Sequence, residues 1–398
     1  MKIFKLGVIA LVTMCGLNSC SEDCGHDFIE HDYTKDLLGT WSVLGPESAE
    51  TLVIKADGTM ESMSVHEEKF FESTGRYELS NNRMKMIWDD GTTDEGRLNV
   101  VAGRSFSLVV DEETGAGYYF NYCHEDFSDK IVGSWLFQDE ISSQVWSYHA
   151  DGTADWTKYY YNGENTDERI LPGTYKSVGN ILFDTYQYDQ ETTISYAASI
   201  SITPSGDALT NTTLYAEGDE VEEYVMNYVR VKPSPDLAGK EYGYSDSRIT
   251  NIFADDKDVE LMGHTLNFAN LDSPVLTMIL NDIFFHVDFP DATHFHYSSF
   301  HAPIVVEGNK MTVKMSEEVP TFKDVVFYIF QSVDSNQLHL CMDKTAFVNF
   351  FTNMQCMYMD DIDEQFDTAD ADAVDAIYNH INSALYNIKV SLVMHSSK

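Results

Sequence analysis

The sequence predicts a mainly β protein: two tandem eight-stranded antiparallel meander barrels followed by an α+β C-terminal domain. Three observations lead there. A stretch of chain occurs twice, each copy carries short strand-like segments separated by turn signals, and the remainder loses that spacing and gains helical periodicity.

The chain opens with an export signal, residues 1–19. Lys2 and Lys5 form a basic start, Leu6 to Gly16 is apolar, and Leu17-Asn18-Ser19-Cys20 closes the segment. That closing stretch resembles a bacterial lipobox, which implies that Cys20 becomes the acylated first residue. Ser21-Glu22-Asp23 then looks like the acidic tag of surface-exposed lipoproteins of Bacteroidetes-type bacteria. The resemblance implies a lipid-anchored outer-membrane protein displayed at the cell surface. No later run of 18 apolar residues occurs, so a lipid is the expected attachment. Residues 20–36 read as the acylated Cys and its polar tether.

The repeat begins at Leu37. Leu37-Leu38-Gly39-Thr40-Trp41 is matched by Ile131-Val132-Gly133-Ser134-Trp135, and Ala56-Asp57-Gly58-Thr59 by Ala150-Asp151-Gly152-Thr153, both displaced by 94 residues. Gly75-Arg76-Tyr77 recurs as Gly173-Thr174-Tyr175, displaced by 98. In the first module, 37–124, strand-like segments fall near 40–45, 50–55, 59–66, 71–79, 83–89, 95–102, 105–110 and 117–122. Turn signals such as Asp57-Gly58, Asn81-Asn82 and Asp90-Gly91 separate them. The second module, 129–232, repeats the count, with segments near 134–139, 144–149, 153–161, 168–177, 180–188, 191–202, 208–214 and 221–231. Eight antiparallel strands hide both edges by closing into a barrel.

Gly39-x-Trp41 and Gly133-x-Trp135, each on the first strand of such a meander, resemble the Gly-x-Trp signature of the lipocalin or calycin superfamily, and more closely the small lipocalin-like domains of Bacteroidetes lipoproteins. The resemblance implies that each Trp plugs a barrel base under an Arg from the last strand. Arg230 can fill that role beside Trp135. The first module ends at Tyr118 to Cys123 with no Arg, so its base must close otherwise.

Val231-Lys232-Pro233-Ser234-Pro235-Asp236 reads as an interdomain linker, its two prolines breaking sheet pairing. In the C-terminal region, 237–398, Leu237-Ala238-Gly239-Lys240-Glu241-Tyr242 faintly echoes the repeat start. Strand-like runs at 284–289, 294–300, 304–307, 310–315, 325–332 and 337–342 precede two helices, 344–354 and 370–385, and a last strand at 387–394. Val374, Ile377, Tyr378, Ile381 and Leu385 share one helical face. A mixed α+β domain, a sheet covered by helices, is the expectation.

Charge and chemistry narrow the function. With 25 Lys and Arg against 65 Asp and Glu the net is −40, a field that repels nucleic acid and anionic headgroups. Past the signal and Cys20, four cysteines remain, Cys24, Cys123, Cys341 and Cys356. An exterior compartment permits disulfides; Cys341 and Cys356 could close a short loop, and buried free thiols are the alternative. His286, His294, His296 and His301 form the one dense set of His. On a strand, His294 and His296 share a face, as metal ligands would, with Asp288 and Asp291 nearby; the aromatic surroundings favour packing instead. Templates for Ser hydrolases, zincins and phosphate loops are missing, and no cofactor is implied. Trp156, Tyr159, Tyr160 and Tyr161 could stack on sugar rings or fill a sheet. The expected work is non-enzymatic binding of a small apolar or amphipathic ligand. The alternative is a structural or interaction module, such as an accessory to glycan capture or surface assembly, marked by an exposed aromatic patch; an enzyme in the 280–301 region is a third reading. Protein partners are not legible.

Overall fold

The computed structural model describes residues 33–46, 48–217, 220–270, 273–297, 300–359 and 371–397. The export signal, Cys20, Cys24, most of the tether and Asp370 lie outside them. The described residues form three closed eight-stranded antiparallel barrels and one two-stranded sheet, Asp258–Leu261 with His264–Asn267. By compactness the chain divides into two units, 1–131 with 173–202 and 210–226, and 132–172 with 203–209 and 227–398.

In the first barrel each strand pairs with its neighbours in sequence, from Gly39–Leu44 to Gly117–Tyr122, and closure comes where Trp41 lies opposite Tyr122. The duplicated Asp-Gly-Thr is a turn device. The Asp57 carboxylate accepts from the Thr59 amide at 3.0 Å and its hydroxyl at 2.6 Å, while Gly58 takes φ +86°. Asp151, Thr153 and Gly152 repeat this at 3.0 Å, 2.6 Å and +84°. Tyr77 donates its amide to the Gly58 carbonyl, which ties Gly-Arg-Tyr to the same turn.

The second barrel closes through Arg230 opposite Trp135, joining its last strand, Glu220–Val231, to its first, Gly133–Gln138.

The C-terminal region corrects the α+β expectation, because its sheet is itself a closed barrel. Lys240–Ala254 pairs with Val287–Asp291 on one side and with Leu385–Ser396 on the other. That first strand escaped detection for a physical reason. Its register shifts at Tyr244/Asp246 and Thr250/Phe253, with Asn251 at φ +56°, so the period-two alternation is broken. Ser273–Phe284 is a helix, not the start of a strand. With Lys344–Met359 and Ala371–Ala384 it adds Leu280, Phe284, Phe347, Phe350, Val374 and Ile381 to one apolar core with the strand residues Phe289, Phe295, Phe327 and Leu340. The echo of the repeat is real in place: Leu237 and Tyr242 are buried and Gly239 takes φ +69°.

Cys341 and Cys356 are both buried thiols outside any disulfide, one on the strand Gln337–Met342 and the other on the helix Lys344–Met359, so the short-loop pairing does not form. Among the described residues no helix is long and apolar enough to cross a membrane.

Candidate functional site in the first barrel

The Gly-x-Trp positions explain themselves at the barrel bases. Gly39 sits at φ +129° and Gly133 at +137°, where a side chain is strained. A Cβ on Gly39 would lie 2.8 Å from the Tyr122 ring, and one on Gly133 2.9 Å from the Arg230 guanidinium. The glycines therefore make room for the last-strand residue that covers the Trp. Arg230 stacks its guanidinium 4.9 Å from the Trp135 ring and donates to the carbonyls of Gly206, at 3.2 Å, and Val132. In the first barrel Tyr122 replaces it, edge-on to Trp41 at 5.0 Å, and the Trp41 indole donates to the Leu37 carbonyl at 2.8 Å. The matching registers, Arg230 opposite Trp135 and Tyr122 opposite Trp41, make the substitution position for position.

Above its base the first barrel changes character. Trp41, Leu52, Met60, Met84, Leu98, Phe106 and Phe120 form a floor at most 2% exposed. Alternation then brings Val43, Glu50, Ser62, Trp88, Asp94 and Tyr118 to the inside of the opposite end. Of these, Val43, Glu50, Trp88, Asp94 and Tyr118 keep partial exposure, which makes this end the barrel's mouth and the Trp41 end its base.

The mouth is hydrogen-bonded and acidic. Ser62 donates to Glu50 at 2.8 Å, and the Trp88 indole donates to Asp94 at 3.1 Å. Enclosure drives the Glu50 carboxyl up to about 7; the Ser62 hydroxyl works against this and the Asp94 charge adds to it. Burial, then the Asp94 and Glu50 charges, raises the Tyr118 phenol above its ordinary range. The interior is thus amphipathic: apolar rings below, carboxyls and an indole above.

The other singled-out residues are placed differently. His294 pairs with Asp291 at 3.0 Å and His296 with Asp288 at 3.4 Å, while the His296 ring meets His301 at 4.0 Å. The two histidines are thus each engaged by a separate carboxylate. Among the described residues no group of three or more His, Cys, Asp or Glu is arranged to hold a metal. The Trp156 to Tyr161 stretch is split by alternation. Tyr159 and Tyr161 are buried against Tyr328 and, for Tyr159, Phe330, at 5.4–5.8 Å. Trp156 stacks on Trp146 at 4.7 Å, and Lys158 lies 4.5 Å over Tyr160. Sequence reasoning passed over Glu50 and Asp94. The available signal was an acid on the inward phase of an alternating strand, between Leu52 and the strand start.

The fold defines the class: the described residues form tandem closed eight-stranded antiparallel barrels. No family model matches the chain, and no curated protein does. Among solved structures it is similar to the Cpx pathway activator NlpE from Escherichia coli, at 13% identity and a TM-score of 0.17, over 40% of this chain and 90% of that one. It is also similar to a porin-like protein from Bacteroides uniformis, at 9% identity and a TM-score of 0.14, over 48% and 94%. Likeness at these scores carries no inference.

Proposed function

We propose that the chain is a surface-displayed, lipid-anchored protein of the outer membrane that binds a small amphipathic molecule in its first barrel, without catalysis. The observation that carries the reading is the two-part interior. An apolar tail can lie against the partly exposed Val43, Trp88 and Tyr118 side chains above the packed floor, while Glu50 and Asp94 meet a head group that donates hydrogen bonds or carries positive charge. The lipobox-like Leu17 to Cys20 supports the address. The test is the mass of the purified chain under native and denaturing conditions. The reading expects an extra non-covalent mass of amphiphile size that is reduced in Glu50→Gln; a bare chain that also takes up no added alkylamine overturns it.

A second reading, an interaction module that captures glycan, is favoured by one observation. Tyr188, Tyr196, Tyr215 and Tyr224 are 44–53% exposed, and the Tyr215 and Tyr224 rings lie 6.2 Å apart. Exposed tyrosines of this kind are stacking surfaces for sugar rings. Binding of oligosaccharides that is lost in Tyr215→Ala but kept in Glu50→Gln would favour this reading over the first.

A further inference from the structure

A cavity of about 250 Å³ lies in the unit formed by 132–172, 203–209 and 227–398, between the strand Gly133–Gln138 and the outward faces of Gln337–Met342 and Leu385–Ser396. His339 lines it. Its side chain is 7% exposed, and neither ring nitrogen has a partner. An orphaned imidazole of this kind costs stability and calls for a ligand that completes it.

Lys389, 1% exposed, lines the same space. Its ammonium donates to the carbonyls of Asp139 at 2.8 Å and Ser142 at 2.6 Å, and lies 5.0 Å over the Tyr161 ring. An ammonium carries three protons, so one remains to offer. The neighbouring Asp139 carboxylate is not its counter-ion. It already accepts from the Ile141 and Ser142 amides, the Ser142 hydroxyl and the Gln144 amide, at 2.6–2.9 Å. Arg248 adds an exposed guanidinium at the cavity, its nearest ion-pair partner Glu140 at 4.0 Å. Lys389, Arg248 and His339 thus face the space beside the Asp139 and Asp246 carboxylates, and Leu136, Val229 and Val393 supply an apolar wall.

We infer that this cavity binds a short aliphatic carboxylate, its carboxyl held by Lys389, His339 and Arg248 and its tail against Leu136, Val229 and Val393. The carboxylate accepts a hydrogen bond from the remaining Lys389 proton and gives the His339 ring an acceptor. The site is separate from the first barrel's cup and does not depend on it.

The test is calorimetric titration of the full chain with propionate, with propionamide and inorganic phosphate as parallel arms, while NMR follows the His339 ring signals, assigned by their loss in His339→Gln. Propionate should bind and move those signals, and propionamide should not. Lys389→Met should weaken binding about tenfold or more, the value of a lost charged hydrogen bond. Should Lys389→Met fail to fold, Arg248→Gln, at an exposed position, should still weaken propionate several-fold. Equal binding of propionamide, unmoved His339 signals, or unchanged affinity in Arg248→Gln would each overturn the inference. Phosphate binding more tightly than propionate would overturn the carboxylate assignment.

Discussion

The first and third barrels have the same strand number and antiparallel order, yet opposite interiors. The third brings three helices into its core and packs it with Phe284, Phe289, Phe295, Phe327 and Phe350, each at most 3% exposed. The first has no helix among its described residues, a floor of rings around Trp41, and partly exposed Trp88, Asp94 and Tyr118 inside its mouth. An eight-stranded barrel has room for side chains or for one small ligand. What fills that room decides whether the barrel is a scaffold or a cup, and here the choice is made by the segments inserted between strands.

The largest effect that would break this contrast comes from truncating rings on the two sides. Phe284→Ala should cost about 3–5 kcal/mol of stability, as full ring deletions in packed cores do, whereas Trp88→Ala at the open mouth should cost less than about 2 kcal/mol. Chemical denaturation of both variants checks it; equal costs would mean that the first barrel is as full as the third.

Next comes the base. Gly39→Ala and Gly133→Ala should each lose about 1–3 kcal/mol from backbone strain, with added crowding against Tyr122 or Arg230. Thermal melts would register this, and a neutral outcome would sink the account of Gly-x-Trp.

The smaller effects depend on pH and run in opposite directions. The Glu50 carboxyl is raised in the fold to about 7 from 4.5, so its protonated form is the favoured one. Its contribution is present at low pH and is lost as pH rises through about 7. Hydrogen exchange in the first barrel should therefore quicken over that window, and Glu50→Gln should flatten the change. His339 behaves oppositely. Burial, then the charge of His395, lowers its imidazole from 6.5 to about 4. Its contribution is present above 6.5 and is lost as pH falls toward 4. The charged groups around it are Lys389, Arg248, Asp139 and Asp246, which line the same cavity, together with His395. Exchange in the strand Gln337–Met342 should quicken on acidification, and less so in His339→Gln.

The limits of sequence reading follow the same contrast. The first two barrels were legible because their Gly-x-Trp starts and Asp-Gly-Thr turns recur at one fixed displacement. The third was hidden because Lys240–Ala254 carries its closing role through register shifts and a polar run from Ser245 to Arg248. Helices between strands then looked like a covering layer when they belong to the core. Trp41, Trp135 and Arg230 could be read from position, since a base plug is a local device. Tyr122 could not, because a Tyr at a strand end names no role until its partner is known. Glu50, Asp94, His339 and Lys389 owe their character to enclosure by distant strands, which no local pattern reports.

The most direct measurement is hydrogen exchange of the chain with and without decylamine, with decanoate as the oppositely charged control. Decylamine should slow exchange in Ser48–Ile54, Thr93–Val101 and Gly117–Tyr122 and leave Val325–Gln331 unchanged, while decanoate, repelled by Glu50 and Asp94, should protect none of them. Protection that is absent throughout 39–122, or equal in the first and third barrels, would contradict the assignment of the first barrel as the cup.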